Sequence, residues 1–198
     1  MRARVVSGIF KKTKMKKVYV VHGWGGSPSS ECWFGWLKRE LTKRNIKVDF
    51  LEMPNTNNPK INEWVSYLNN TLKELDEQTY FIGHSIGCQA IIRYLEQLPE
   101  NIKVAGCIFV AGFFNLPNLK TQEEIKIARP WIETPINFEK IKIHTRNFLA
   151  FFSNDDPDVP VSDSKLFKKR LGAKIIIKEN EEHFNETQEI PEMLDFLK

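Results

Sequence analysis

Three side chains that lie far apart in the sequence have the types needed for nucleophilic catalysis: Ser85, Asp156 and His183. A serine hydroxyl is a poor nucleophile at neutral pH, so it needs a base within hydrogen-bonding reach. That base in turn needs an anion, which fixes its tautomer and stabilises its protonated form. Catalysis by these three residues therefore requires a fold that brings them together.

Ser85 lies at the centre of a G-x-S-x-G pentapeptide that runs from Gly83 to Gly87. A short β-rich run at residues 79–82 precedes it, and apolar residues at helical spacing follow it as far as Pro99. A strand, a sharp turn and a helix form the context in which this motif holds a serine at the edge of a sheet. Without that context the pentapeptide could occur by chance.

His183 is the best candidate for the base, because it follows the last predicted strand in the segment Glu-Glu-His-Phe. The alternative is an ordinary histidine of a surface loop. Of the other histidines, His22 ends the first predicted strand and is expected to be structural or near the pocket wall. His84 is the variable residue of the pentapeptide and is expected to pack away from the nucleophile. His144 precedes the fifth strand and should lie at the opposite end of the sheet.

Three aspartates follow the fifth predicted strand, Asp155, Asp156 and Asp158. The spacing D-x-x-V-P, which ends at Pro160, favours Asp156 as the acid that orients the histidine. Asp155 and Asp158 then form turns or remain solvated. The chain order serine, aspartate, histidine is typical of α/β-hydrolases.

A glycine-rich loop after the first strand, residues 22–26, predicts one half of an oxyanion hole. The backbone N–H groups of Trp24 and Ile86 are the expected donors. A phosphate-binding loop is the competing interpretation, since such loops before helices also bind phosphates. However, neither G-x-x-x-x-G-K-[ST] nor G-x-G-x-x-G occurs at this position.

Strand and helix patterns alternate along the chain, which predicts a parallel sheet with helices on both faces. We therefore expect a three-layer αβα sandwich of α/β-hydrolase type, with about six parallel strands in the order 2-1-3-4-5-6. Ser29 or Ser30 could cap the first helix. Residues 61–75 are amphipathic and predict a helix. Residues 115–146 lack a clean period and are expected to cross the edge of the sheet, with one short helix near 123–127.

The net charge of +4 is unevenly distributed, because residues 1–17 contain seven basic residues and no acid, and the remainder carries −3. We expect residues 1–16 to be a basic leader, disordered or an extension with Met15 as an alternative start. Residues 17–198 form one domain without a nucleic-acid surface. A leader that touches RNA or an anionic membrane is the alternative. No apolar run approaches the length of about 18 residues that a membrane span needs.

The three cysteines, Cys32, Cys88 and Cys107, show no metal-ligand spacing and are odd in number. This pattern is typical of reduced thiols in a cytoplasmic protein.

From Lys17 onward the sequence resembles the small, lidless serine hydrolases of the retinoblastoma-binding protein nine type, in particular their bacterial members. The resemblance lies in H-G-W-G-G at 22–26, M-P-N at 53–55, G-H-S-I-G-C at 83–88, D-D-P-x-V-P at 155–160, and H-F at 183–184. It implies a triad of Ser85, Asp156 and His183 and the hydrolysis of carboxylic esters or small amides. The chain differs from this family at Glu182, where a glycine usually precedes the histidine.

The sequence thus predicts a serine hydrolase that acts through an acyl-enzyme on Ser85, carboxylesterase-like or with peptidase or amidase activity. The substrate is a small-molecule ester or amide, and the chemistry needs no metal or organic cofactor. Trp24, Phe113, Phe114 and Trp131 are the expected aromatic wall of the pocket, although such residues could equally belong to the core. The alternative function is a non-catalytic protein-interaction module on the same fold. No oligomeric state is predicted.

Overall fold

The computed structural model describes residues 14–198, and the prediction of a basic leader falls largely on residues 1–13, outside this range. A six-stranded parallel sheet has the order β2-β1-β3-β4-β5-β6, as predicted. The strands are β1 (Lys17–Val21), β2 (Lys47–Leu51), β3 (Thr79–His84), β4 (Gly106–Val110), β5 (Phe148–Ser153) and β6 (Lys174–Lys178). The helices are α1 (Cys32–Lys43), α2 (Ile61–Thr71), α3 (Ile86–Gln97), α4 (Gln122–Glu133), α5 (Phe138–His144), α6 (Asp163–Leu171) and α7 (Glu192–Phe196).

Three of the four interior strands, β3, β4 and β5, are buried at every position. They consist mostly of β-branched and aromatic residues, as expected for strands covered on both faces. The edge strands β2 and β6 are only partly buried. The last residues of β3 and β4 are paired, His84 with Val110, and Val110 with Phe151 of β5. The loops that follow these strands therefore begin at the same edge of the sheet.

Each face of the sheet has its own hydrophobic core. On one face, helices α2, α3 and α6 pack through residues such as Trp64, Ile91 and Phe167. On the other face, helices α1 and α7 pack through Trp33 and Met193. This is the αβα sandwich that the alternation of strands and helices predicts.

The segment 115–146 contains two helices, α4 and α5, whereas the sequence predicted one short helix near 123–127. Helix α4 begins with a capping box, in which the Thr121 hydroxyl accepts from Glu124 N and the Glu124 carboxylate accepts from Thr121 N. It also continues through Pro130, which lies in its last turn. Asn137 caps α5 by accepting from Lys140 N. The prolines obscured the helical period, while the T-x-x-E signal of the capping box was present.

Two further helix boundaries differ from the prediction. The N-cap of α1 is Glu31 and no side chain caps the helix. The Ser30 hydroxyl instead lies within hydrogen-bonding distance of the Glu31 carboxylate and of Ser27 O. Helix α2 ends at Thr71, because Leu72 adopts an extended backbone with φ −95° and ψ 92°. Among residues 14–198, no helix is long and apolar enough to cross a membrane.

Candidate active site

Ser85 occupies the tight turn between β3 and α3. Its backbone has φ 52° and ψ −121°, a conformation that non-glycine residues rarely adopt. The turn is held on both sides, since Ser85 N donates to Val110 O at 2.9 Å and Ser85 O accepts from Cys88 N at 3.0 Å. A strained residue fixed in this way at a strand end is typical of a nucleophile elbow.

The glycines that flank Ser85 are required by close backbone packing. A Cβ on Gly87 would lie 2.3 Å from Val21 O and 2.6 Å from His22 O. A Cβ on Gly83 would lie 2.7 Å from Cys88 N. The pentapeptide is therefore fixed by the fit of α3 against β1 and β3, and any side chain at these positions would force α3 away from the sheet.

His183 contacts Asp156 through one ring nitrogen and both carboxylate oxygens. Its Nδ1 lies 2.9 Å from Oδ2 and 3.1 Å from Oδ1. The carboxylate is buried, with 2% of the Asp156 side chain exposed against 12% of the His183 side chain. Because a carboxylate accepts, Nδ1 carries the hydrogen, which leaves the lone pair of Nε2 free to take a proton.

The turn after β5 explains why Asp156, and neither neighbouring aspartate, faces His183. Asp156 Oδ1 accepts from the backbone N–H groups of Asp158 and Val159, each at 2.9 Å. Val159 is buried and anchors the turn. The D-x-x-V-P spacing thus holds the carboxylate by its own backbone. Asp158 is exposed at the cleft, as expected of a solvated charge.

Asp155 ties the loop of Asp156 to the loop of His183. Its Oδ1 accepts from the Ser153 hydroxyl at 2.6 Å and from Glu182 N at 3.0 Å. The hydrogen bond from Ser153, above all, lowers the pKa of Asp155. Ser153 Oγ also accepts from Glu181 N at 3.0 Å. These contacts hold a strained turn, since Glu182 has φ 44°, where the resembled family carries glycine.

The glycine loop after β1 lies against Ser85. A Cβ on Gly23 would come within 3.4 Å of Ser85 Cβ. The loop is anchored by Gly25 N, which donates to Thr56 O at 2.8 Å, and by the Trp24 indole, which donates to Asn57 O at 3.1 Å. Within residues 14–198, neither Trp24 N nor Ile86 N donates to another protein group, and both residues line the same cleft. Two free donors beside Ser85 are what an oxyanion hole requires.

His22 supports this loop from below. Its Nε2 accepts from Met53 N at 3.2 Å, so the ring hydrogen resides on Nδ1, which lies 2.8 Å from Gly23 O. Burial lowers the pKa of His22 and keeps the ring neutral. His144 ends α5, with Nδ1 2.8 Å from Ile102 O. Neither ring lines the cleft.

His84 behaves differently from the prediction that it packs away from the site. It is buried, yet its ring lies with its centre 5.0 Å from the centre of the His183 ring. Its Nδ1 lies 2.8 Å from Glu31 Oε1 and its Nε2 lies 2.8 Å from the backbone oxygen of His183. Glu31 is not among the residues predicted from the sequence. No local pattern reveals it, because the two partners are far apart in the chain.

An open cleft of about 580 Å³ contains Ser85 and His183. Its apolar lining includes Phe113 and Trp24, as predicted for the pocket wall, and Leu116 and Leu119 from the segment before α4. Its polar lining includes Ser30, Asn118, Lys120, Glu124, Asp158 and Asn185.

The other two residues predicted for the pocket wall lie in the core. Trp131 is 1% exposed, packs on Trp64, and donates its indole hydrogen to Pro59 O at 3.0 Å. Phe114 packs against Phe138 and Phe167. Neither lines the cleft, because their rings point into the layer between the sheet and its helices.

Asp156, Asp158 and His183 place one ligand atom each within 4.8 Å of one another, the spacing of a metal site. The Asp156 carboxylate already accepts from two backbone N–H groups and faces His183. These hydrogen bonds account for the cluster, and we assign it no metal.

The family model described as "Serine hydrolase" matches residues 18–195. The chain belongs to the serine hydrolase family. It is 33% identical over 174 residues to YdeN from Bacillus subtilis (strain 168), which covers 87% of this chain and 88% of YdeN. It is 28% identical over 175 residues to the serine hydrolase RBBP9 from Rattus norvegicus, which covers 87% of this chain and 89% of that protein. These matches confirm the resemblance noted in the sequence.

Solved structures support the α/β-hydrolase fold of this serine hydrolase. The crystal structure of the ydeN gene product from B. subtilis superposes with a TM-score of 0.84 at 31% identity, covering 92% of this chain and 97% of that one. Est1E from Butyrivibrio proteoclasticus superposes with a TM-score of 0.65 at 16% identity, covering 92% and 84%. The second likeness concerns the fold alone.

Proposed function

We propose that this serine hydrolase cleaves small carboxylic esters or amides through an acyl-enzyme on Ser85. The observation that carries the proposal is the contact of His183 Nδ1 with both oxygens of Asp156, in a cleft that His183 shares with Ser85. The contact fixes the tautomer that a general base needs. Ser85, Asp156 and His183 are then the catalytic residues.

In the first step, the Ser85 hydroxyl oxygen attacks the substrate carbonyl while its proton moves to His183 Nε2. The negative charge that develops on the carbonyl oxygen is stabilised by the N–H groups of Trp24 and Ile86, each worth roughly 10²–10³ in rate. The proton on His183 then passes to the leaving alcohol or amine as its bond to the carbonyl carbon breaks. In the second step, water attacks the carbonyl carbon of the acyl-enzyme and His183 takes a proton from that water. The proton then passes from His183 to the Ser85 oxygen as its bond to the acyl carbon breaks, which releases the carboxylic acid.

The shape of the cleft favours short acyl groups. Its apolar wall is formed by Trp24, Phe113, Leu116 and Leu119, and it is open to solvent at its polar rim. The segment before α4 contributes Leu116 and Leu119 to this wall, and the cleft is open rather than enclosed. We therefore expect short aliphatic or aromatic acyl groups to be preferred.

The unpaired state of all three cysteines fits a cytoplasmic location for this chemistry.

The test is a panel of aryl esters with acyl chains from two to twelve carbons, together with aminoacyl aryl amides, assayed with wild type and Ser85→Ala. We expect a burst of aryl alcohol that matches the enzyme concentration, highest kcat/KM for short acyl groups, and loss of turnover in Ser85→Ala. Equal turnover by both proteins would overturn the role of Ser85. A preference for the longest chains would overturn the proposed substrate class.

A further inference from the structure

Glu31 is a buried carboxylate that the proposed mechanism does not use. Only 4% of the residue is exposed, although it precedes the first turn of α1. Its Oε1 lies 2.8 Å from His84 Nδ1 and 3.5 Å from Gly23 N. Its other oxygen accepts from the Ser30 hydroxyl. A carboxylate removed from water to this degree requires a reason in the fold, because an isolated buried charge is costly.

The partner of Glu31 is His84, whose second ring nitrogen contacts the backbone of the loop that carries His183. Nε2 lies 2.8 Å from the backbone oxygen of His183. A carbonyl oxygen only accepts, so Nε2 carries a hydrogen. Nδ1 faces a carboxylate, which is also an acceptor. A ring with an acceptor at both nitrogens is best satisfied as an imidazolium.

The lowered pKa of the Glu31 carboxyl group agrees with a protonated His84 ring. Burial acts to raise the pKa of Glu31, but the hydrogen bonds and charge of His84, with the hydrogen bonds from Ser30 and Gly23, outweigh it and lower the pKa. The ionised carboxylate and the imidazolium therefore neutralise each other in the interior. Removing one partner would leave the other charge buried and uncompensated.

The pair connects three parts of the site. Glu31 accepts from Gly23 in the glycine loop, His84 directly precedes Ser85, and the His84 ring holds the backbone oxygen of His183. A further backbone contact, Cys32 N to Asn185 O at 3.2 Å, joins the start of α1 to the same loop. The glycine loop, the turn at Ser85 and the loop that carries His183 are thus all linked to the buried carboxylate of Glu31.

The loop that carries His183 needs the support of Glu31 and His84, because its backbone is strained on both sides of His183. Glu182 has φ 44° and Phe184 has φ 63°. Each residue held in this region costs of order 1–3 kcal/mol and keeps its conformation only where the surroundings impose it. Asp155 holds the side before His183. His84 holds His183 itself.

We propose that Glu31 and His84 are positioning residues, which act as a buried ion pair to fix the backbone of His183 and so the aim of its ring at Ser85. This inference rests on the proposed function. It assigns to two buried residues at the wall of the cleft a role in catalysis that they exert through His183. A displacement of about 1 Å in a catalytic group can cost about 10²-fold in rate, so the effect should appear in kcat.

The test compares Glu31→Ala, Glu31→Gln, His84→Phe and the double variant Glu31→Ala with His84→Phe. We expect Glu31→Ala and His84→Phe each to lower kcat roughly 10- to 100-fold while KM changes less than about threefold. The double variant should be no slower than the slower single variant, because both changes break one connection. Glu31→Gln should recover most of kcat, since its amide can donate to a neutral His84 ring that still donates to His183.

His144→Phe is the matched control, because His144 is another buried histidine whose ring contacts a backbone oxygen, far from the cleft. It should lower thermal stability and leave kcat within twofold. Thermal unfolding of every variant establishes that it is folded. Loss of kcat in His144→Phe as large as in His84→Phe, or kcat within twofold of wild type in folded Glu31→Ala and His84→Phe, would overturn the proposal.

A spectroscopic measurement separates this inference from the proposed function. In ¹⁵N-labelled wild type, the His84 ring should carry hydrogens on both nitrogens, because each nitrogen faces an acceptor. Glu31→Gln should carry one, on Nε2. A wild-type ring with a single hydrogen would overturn the ion pair. Absence of turnover in wild type would instead contradict the proposed function, while the state of the ring would still test the pair.

Discussion

The Nδ1 atom of His183 lies 2.9 Å from Oδ2 and 3.1 Å from Oδ1 of Asp156, so a single buried carboxylate holds the ring with both oxygens. Asparagine in place of the aspartate would present an amide hydrogen to Nδ1 and stabilise the opposite tautomer. The lone pair needed for the Ser85 proton would then be lost from Nε2.

We therefore expect Asp156→Asn to lower kcat about 10³- to 10⁴-fold at pH 7.5 with little change in KM. Asp195→Asn is the control, because Asp195 pairs with Lys198 at the surface in α7 and lies away from the cleft. It should retain wild-type kcat. Steady-state kinetics on a short aryl ester measure kcat and KM of both variants. A kcat of Asp156→Asn within tenfold of wild type would show that another acid orients His183.

The fit of α3 against the sheet predicts a sharp contrast between two glycines. Gly87→Ala places a methyl group 2.3 Å from Val21 O, so α3 must shift, and we expect a loss of about 3 kcal/mol or more in the free energy of unfolding. Gly35→Ala adds a methyl group at an exposed position of α1, where the nearest atom is the Arg39 guanidinium at 3.5 Å.

The Gly35→Ala protein should be more stable than wild type by about 0.5–1 kcal/mol, because alanine is the better helix former. Urea titrations measure both variants. A Gly87→Ala protein as stable as wild type would mean that the close packing beneath Ser85 is not needed.

The strained turn before His183 predicts that one glycine substitution is stabilising. Glu182 has φ 44°, so Glu182→Gly should relieve its backbone strain and raise the free energy of unfolding by about 0.5–1 kcal/mol. Glu179→Gly makes the same chemical change nearby at a residue without a positive φ and should be destabilising by a similar amount. If both substitutions destabilise equally, the turn is not strained at residue 182.

The buried His22 ring makes stability depend on pH. Because burial lowers its pKa from the ordinary value of 6.5, the unfolded chain binds a proton at this residue over a pH range where the folded protein does not. The free energy of unfolding therefore rises with pH between the folded-state pKa of His22 and about 6.5. The stability that the neutral His22 ring contributes is lost as the pH falls through this range.

His22→Gln lacks this titration but can still accept from Met53 and donate to Gly23. We expect the free energy of unfolding to fall less between pH 7 and pH 5 in His22→Gln than in wild type, as measured by urea titration at each pH. An identical fall in both proteins would show that His22 does not titrate differently on folding.

The parallel sheet and the approach of Asp156 to His183 follow from patterns that the sequence displays. Parallel strands place their following loops at one edge, so residues after β3, β5 and β6 had to meet there. The D-x-x-V-P spacing favoured Asp156, and the structure gives a physical reason, since this turn satisfies the carboxylate with its own backbone. The first inference depends on the alternation of strand and helix along the chain, and the second on contacts within a few residues.

The parts that the sequence did not reveal depend on contacts between distant residues. Glu31 and His84 are 53 positions apart, and neither type nor spacing distinguishes them from solvated side chains. Likewise, hydrophobicity marks Trp131 and Phe113 as buried, but it does not show which of them faces the cleft. Trp131 turns to the core because Pro59 O accepts its indole hydrogen there.

The role of Ser85 as a nucleophile activated by His183 is tested by the site and rate of labelling with a fluorophosphonate, followed by peptide mapping. We expect one adduct per wild-type chain, on Ser85, with labelling absent in Ser85→Ala and slowed by at least about 10²-fold in His183→Ala. An adduct on another residue, or equal labelling of wild type and His183→Ala, would contradict a nucleophile activated by this histidine.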